Sequence, residues 1–206
     1  MMIVGLTGSI GMGKTTVGGW FAARGVPVFD SDGHVHALYA AGGEAVMPVA
    51  ALVPAALRDG GIDRAVLSSA IGVDRGLLEK IEQIVHPLVR NGQRAFLMKA
   101  HQDGAAVAVL DIPLLFETLG DARVDVVVVV HAPPAVQRER VLARGGMTVE
   151  KFTTILAKQM PSDEKIEYAD FVIRTDRSLA ESEAEVDALV IALRERRGSA
   201  LYRLWA

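Results

Sequence analysis

Gly8-Ser9-Ile10-Gly11-Met12-Gly13-Lys14-Thr15 satisfies the pattern G-x-x-x-x-G-K-[ST] in full, and its flanks give the pattern its meaning. Met2-Ile3-Val4-Gly5-Leu6 before it reads as a short buried strand, and Thr16 to Ala23 after it reads as a helix. A loop between such elements wraps an anion against the free N–H groups that open the helix. Glycines at positions 8, 11 and 13 let the main chain approach phosphate oxygens and take dihedrals closed to other residues. In this pattern Lys14 reaches the β- and γ-phosphates, and the Thr15 hydroxyl faces Mg²⁺. The stretch predicts a nucleoside triphosphate site, with the destination of the phosphate still open.

Working outward, three more segments read as strands of a parallel sheet. Val26 to Phe29 runs into Asp30, Ala105 to Leu110 runs into Asp111, and Asp125 to Val130 is almost all valine. Phe171-Val172-Ile173 is a shorter fourth. Runs apolar on both faces suit a sheet covered by helices on each side. Helical patterns lie between them, at 16–23, about 34–101, 135–143 and 179–196, the last opened by a Ser178/Glu181 capping box. Alternating strands and helices mean an α/β chain whose ligands gather beyond the carboxyl ends of the strands. The long stretch between Asp30 and Ala105 far exceeds the dozen or so residues a crossover needs, so it predicts a helical insertion for a second substrate. The run from Gln137 to Lys165, rich in Arg and Lys, predicts a lid bringing cations over the phosphates.

Bulk composition narrows the class. The chain has 206 residues, half of them apolar, a formal charge of −3 and no cysteine. That charge argues against a general nucleic-acid binder. The lack of cysteine removes disulfides and thiolate metal sites and favours a reducing compartment. No segment reads as a signal peptide or membrane span, so the expectation is a cytoplasmic protein, monomeric or weakly homo-oligomeric, forming one domain over residues 1–206.

The GTPase base-reading pattern N-K-x-D is absent, and Asp30-Ser31-Asp32 follows the second strand directly. A carboxylate there would accept the proton of an acceptor hydroxyl or join a Mg²⁺ shell. Asp is also a common helix cap, so the two residues are expected to divide the work. Asp32 is assigned to chemistry, and Asp30 to local structure or metal contact. His34 and His36 lack the spacing of a metal pair on a helix and read as surface residues. His86-Pro87 predicts a bend in the insertion. Two further readings stay open at this point: a kinase for a nucleotide or other small alcohol, and a non-catalytic ATP-binding regulator.

Several segments in order then resemble the dephospho-coenzyme A kinase family. They are Val4 to Val17, Asp30-Ser31-Asp32, Gly61-Ile62-Asp63-Arg64, Ile84 to Arg90, and Asp111-Ile112-Pro113-Leu114-Leu115-Phe116-Glu117. Gln137, Arg140, Arg144, Gln159-Met160-Pro161, Lys165, Ala169 and Asp170 extend the likeness, which covers about residues 3–196. The resemblance implies transfer of the ATP γ-phosphoryl group to the ribose 3′-hydroxyl of dephospho-coenzyme A, the last step of coenzyme A biosynthesis. It implies a P-loop nucleotide-kinase-like three-layer fold with a five-stranded parallel sheet, an acceptor-binding insertion at about 34–101 and a lid at about 137–166. Carried over by position, Gly11, Met12, Gly13, Lys14, Thr15 and Thr16 hold ATP, and Thr15 also meets Mg²⁺. Asp32 is the general base, with Lys14, Arg140 and Arg144 on the transferring phosphoryl group. His86, Arg90, Leu114 and Glu117 help form the acceptor pocket.

Some positions depart from that family's pattern. Ser9 and Met12 stand where Gly and Ser are usual, both at wildcard positions of the motif. Arg174-Thr175-Asp176 stands where an asparagine is typical, and Gly145-Gly146 follows the lid arginine where a charge is common. The tail Leu201-Tyr202-Arg203-Leu204-Trp205 lies beyond the likeness and reads as a frayed terminus.

Overall fold

Valine-rich runs decide where the sheet lies. In the computed structural model, which describes all 206 residues, the strands are β1 (Met2–Thr7), β2 (Val28–Asp30), β3 (Leu57–Arg58), β4 (Gly61–Ile62), β5 (Val107–Asp111), β6 (Val126–His131) and β7 (Phe171–Arg174). The helices are α1 (Lys14–Ala23), α2 (Ser31–Tyr39), α3 (Val46–Leu52), α4 (Arg64–Val73), α5 (Gly76–Gln102), α6 (Pro134–Leu142), α7 (Val149–Leu156), α8 (Ser162–Glu167) and α9 (Leu179–Arg194). Five strands form one sheet in the order β2-β5-β1-β6-β7, while β3 and β4 form a small antiparallel hairpin. β1 pairs in parallel with both β5 and β6, and β6 pairs in parallel with β7. Central β1 is buried along its whole length, as a strand covered on both faces must be.

The chain divides into two compact units, residues 1–29 with 97–206, and residues 30–96. In the first, Val4 and Leu6 join Val17 and Phe21 of α1 and Val186 and Leu193 of α9 in one apolar cluster. Each such buried side chain contributes roughly 1.5–3 kcal/mol. Alternate residues of β1 face the other way. There Leu115 lies so close to Gly5 that an added Cβ would stand 3.0 Å from its methyl group. An ion-pair clasp joins α1 to α9: Arg24 at the end of α1 donates to the Asp187 carboxylate and, at 3.1 Å, to Glu183. The hydrogen bond from Arg24 holds the Asp187 carboxyl below the usual carboxylate range. The Ser178/Glu181 capping box opens α9 in both of its bonds.

In the second unit, Leu38, Val46, Val49, Leu67, Ile81 and Val85 share a separate core. Asp63 caps α4 by accepting from the N–H groups of Ala65 and Val66. The bend expected at Pro87 does not end the helix, because α5 runs through it for 27 residues. An interior proline removes one helical hydrogen bond. The buried stripe of Ile81 and Val85 before it and Leu97 and Ala100 after it supplies the packing that carries the helix across.

The expectation of a frayed tail is corrected. Leu201 and Trp205 are 1% and 5% exposed, in a single π-helical turn over Leu201–Trp205. The Trp205 indole donates to the Arg123 carbonyl at 2.9 Å. Asp125, one residue before β6, accepts from the N–H groups of Ile3, Ser199 and Ala200 at 2.9, 2.7 and 2.8 Å. A half-buried carboxylate shared by three donors ties residues 199 and 200 to β1.

Leu201→Ala is expected to destabilise the protein by about 2–4 kcal/mol in urea unfolding, the range for a buried leucine. The Arg24–Asp187 clasp gives a pH signature. Because the folded Asp187 is depressed below its unfolded value, its stabilising effect is present above the unfolded pKa. That effect is lost as pH falls through the folded one. The gap in Tm between the natural chain and Asp187→Asn therefore closes as thermal melts are taken from pH 7 to pH 2.

Candidate active site

The phosphate loop sits between β1 and α1, and its main chain shows why the glycines stand where they do. Gly11 and Gly13 have φ of +83° and +91°, in the left-handed region. A side chain at Gly11 would also collide with Val141. Gly13 is the N-cap of α1 and has no side chain to offer; the first turn of α1 holds no acidic residue. The helix therefore opens with donors that no carboxylate has taken, and its dipole favours an anion there. The Ser9 hydroxyl is buried with no partner in the protein, one more polar group left over at the loop.

Side chains from later segments hold the rest of the loop. Ile10 donates its N–H to the Gln159 side chain at 3.1 Å and accepts from the Gln137 amide at 2.8 Å. The Met12 sulfur accepts from the Ala132 N–H at 3.1 Å, and its carbonyl accepts from the Thr175 hydroxyl at 2.7 Å. Residues 137 and 159, within the segment read as a lid, thus grip the phosphate loop itself.

Lys14 is the first residue of α1, and its ammonium pairs with the carboxylate of Asp111. The pairing follows from the sheet: Asp111 ends β5 in register with Leu6 of β1, so its side chain emerges beside the loop that leaves β1. The Lys14 and Asp111 side chains are only 16% and 10% exposed. The sequence alone marks Asp111 as a strand-terminal acid without assigning it a role. Its signal was an acid closing an apolar run on the strand next to the phosphate loop. Thr15 and Thr16 are exposed on the first turn of α1.

A cavity of about 330 Å³ lies over the start of α1, lined by Gly11, Gly13, Thr16, Arg140, Arg144 and Thr175 among others. Its size is that of a small-ligand site. Arg140 reaches it from the last turn of α6 and Arg144 from just beyond. The two arginines are brought together with the loop residues expected to hold the triphosphate.

Beyond β5 the chain turns through Pro113 to Glu117. The Glu117 carboxylate pairs with Lys165 at 2.9 Å and accepts from the Met160 N–H at 2.7 Å. The Lys165 side chain is 0% exposed and also donates to the Pro113 carbonyl at 3.3 Å, which accepts from the Thr7 hydroxyl at 3.0 Å. Glu117, assigned to an acceptor pocket, is thus engaged in holding its own loop. Leu114 in the same loop is 38% exposed.

The remaining candidates lie in the unit of residues 30–96. Asp30 caps α2 by accepting from the Gly33 N–H at 3.0 Å, the local structural role expected of it. Asp32 stands exposed in the first turn of α2. His86 and Arg90 are exposed four residues apart on α5, on one face of that helix. His36 meets Arg64 at 3.1 Å, and no cluster of three His, Asp or Glu side chains forms a metal centre.

A phosphate loop at the end of the central strand of a parallel sheet, ending in a paired lysine and with two arginines at a cavity beside it, defines a P-loop phosphotransferase fold. A family model for dephospho-CoA kinase matches residues 2–181. A dephospho-CoA kinase from Mesorhizobium japonicum is 53% identical over 199 residues, covering 97% of this chain and all of that protein. One from Rhodopseudomonas palustris is 50% identical over 93% of this chain and 96% of its own length. The solved dephospho-CoA kinase of Campylobacter jejuni, 20% identical, shares the fold with a TM-score of 0.71 over 94% of this chain and 97% of its own. The chain belongs to the dephospho-CoA kinase family.

Glu117→Gln would leave the Lys165 ammonium buried opposite a neutral amide. Breaking such a pair from one side costs about 3 kcal/mol or more. The expected loss of that size in urea unfolding exceeds that of an exposed pair such as Lys99–Asp103, whose removal by Asp103→Asn changes stability by less than about 1 kcal/mol.

Proposed function

We propose that this chain transfers the γ-phosphoryl group of ATP to the ribose 3′-hydroxyl of dephospho-coenzyme A, yielding coenzyme A and ADP. The observation that carries the reading is the Lys14–Asp111 pair beneath an uncapped helix start, in a chain matched by the family over residues 2–181. Lys14 exchanges the Asp111 carboxylate for phosphate oxygens when the nucleotide binds. The N–H groups at the start of α1 receive the same phosphates, with Gly11 to Thr16 as the donor cradle. Arg140 and Arg144 lie against the cavity at that cradle and offset the charge that spreads over the phosphoryl oxygens in transfer.

Asp32 accepts the proton of the 3′-hydroxyl as its oxygen attacks the γ-phosphorus, and the bond from that phosphorus to the β–γ bridging oxygen breaks to release ADP. His86, Arg90 and Leu114 belong to acceptor recognition in this reading, and Glu117 acts there through the loop it holds. Residues 30–96 form the acceptor-binding unit and about 137–166 the lid.

The donor set fits Mg²⁺. A threonine hydroxyl and a carboxylate are hard oxygen ligands, and Asp111 is a buried carboxylate at the end of β5, paired with Lys14 beside the phosphate loop. Thr15 and Asp111 would hold the ion, which when bound neutralises charge on the β- and γ-phosphates. No helix is long and apolar enough to cross a membrane. With a net charge of −3, a cytoplasmic enzyme acting on a small molecule, without nucleic acid and as a monomer or weak homo-oligomer, completes the reading.

Purified protein is expected to release ADP from ATP in the presence of dephospho-coenzyme A and not with nucleoside monophosphates; the opposite pattern defeats the assignment. Asp32→Asn is expected to lower kcat by roughly 10²–10⁴-fold, the usual range for a general base, with ATP affinity kept. An unchanged kcat in that variant removes Asp32 from the chemistry.

A further inference from the structure

Thr175 is the first residue after β7 and is 8% exposed. Its own N–H donates to the His131 carbonyl at 2.9 Å, which fixes its main chain to the end of β6. The hydroxyl has one proton and two lone pairs, and both kinds of capacity are used. It donates to the Met12 carbonyl at 2.7 Å and accepts from Arg140 Nη1 at 2.9 Å. A second Arg140 nitrogen, Nη2, donates to the Thr175 carbonyl at 2.5 Å. One short side chain thus joins the phosphate loop to the arginine that faces the donor cavity.

A buried threonine satisfied by any two neighbours would be ordinary packing. Here both partners belong to phosphate handling, and they come from segments 128 residues apart, Met12 and Arg140. Met12 is moored at its other end as well, by the Ala132 N–H on its sulfur, so residues 131, 132 and 175 together frame the loop. Of the five guanidinium N–H donors, two are spent on Thr175 and three remain for a ligand. A long, flexible arginine that is aimed before the nucleotide arrives loses less freedom when it binds.

We propose that Thr175 is a positioning residue for phosphoryl transfer: its hydroxyl and carbonyl lock Arg140 to the phosphate-loop main chain, so that loop and arginine meet the nucleotide as one preset unit. The inference rests on the kinase reading above and adds a residue that acts through Arg140.

The test compares Thr175→Val, which keeps the shape and removes the hydroxyl, with Thr175→Ser, which keeps it. Each is made in the natural chain and in Arg140→Ala. The readouts are kcat and KM for ATP with dephospho-coenzyme A, equilibrium binding of a non-hydrolysable ATP analogue, and Tm. Thr175→Val is expected to lower kcat/KM for ATP about tenfold or more and to weaken analogue binding, because a misaimed group loses rate steeply. Thr175→Ser is expected to stay within about twofold of the natural enzyme, the scale of a hydrogen bond retained. In the Arg140→Ala background the valine change is expected to add nothing further. Natural kinetics and binding in Thr175→Val, or an equal loss in both backgrounds, overturns the proposal. Should the valine variant not fold, Thr175→Ala against Thr175→Ser decides it on the same readouts. If the natural chain binds the analogue but does not turn over dephospho-coenzyme A, the acceptor assignment fails. Analogue binding across the same variants then still decides the role of Thr175.

Discussion

A loop built to receive phosphate must leave most of its N–H groups for the ligand, and so it can hold itself together with few of them. Everything else at the site answers that constraint. Ile10 is gripped at both its N–H and its carbonyl by glutamines from the segment at 137–159, and Met12 by Ala132 and Thr175. These four partners come from parts of the chain more than a hundred residues away, delivered by the carboxyl ends of β6 and β7 and the helices between them. The loop is short, but its shape belongs to the whole first unit.

The same logic governs charge. Lys14 would be an unpaired cation in a half-closed site if Asp111 were not beside it, and an ion buried without a partner costs several kcal/mol. Six positions on, Glu117 meets the fully enclosed Lys165. The carbonyl of Pro113 lies between these two carboxylates in sequence and accepts from both Thr7 and Lys165. The loop beyond β5 is therefore held at its start by the end of β1 and at its finish by α8. Two ion pairs bracket it, Lys14–Asp111 at its start and Lys165–Glu117 at its finish.

Much of this was legible from residues alone. Valine and isoleucine runs marked the strands because a sheet covered on both faces admits little else, and the glycine spacing marked the phosphate loop because backbone geometry demands it. What escaped had non-local causes. Pro87 predicts a bend, and how far the helix runs past it depends on the apolar residues buried on both sides. The tail looked unpartnered because its partners, Asp125 and Arg123, lie more than seventy residues earlier. Asp111 and Glu117 drew different expectations from their neighbours in sequence, yet each is explained by a lysine brought to it by the fold. Met12 and Thr175 looked like independent oddities, and the structure puts them in contact.

Asp125 gathers the amide of Ile3 and the amides of Ser199 and Ala200 on one carboxylate. During synthesis those last two donors are made nearly two hundred residues after the strand they secure. β1 itself must wait for β5 and β6 before it has any neighbour to pair with. Such distant pairings are slow to close, because loop entropy is surrendered before contacts repay it. The phosphate loop therefore emerges long before the segments that complete its setting. Until those segments are made, the loop lacks the Gln137, Gln159 and Thr175 side chains that hold it.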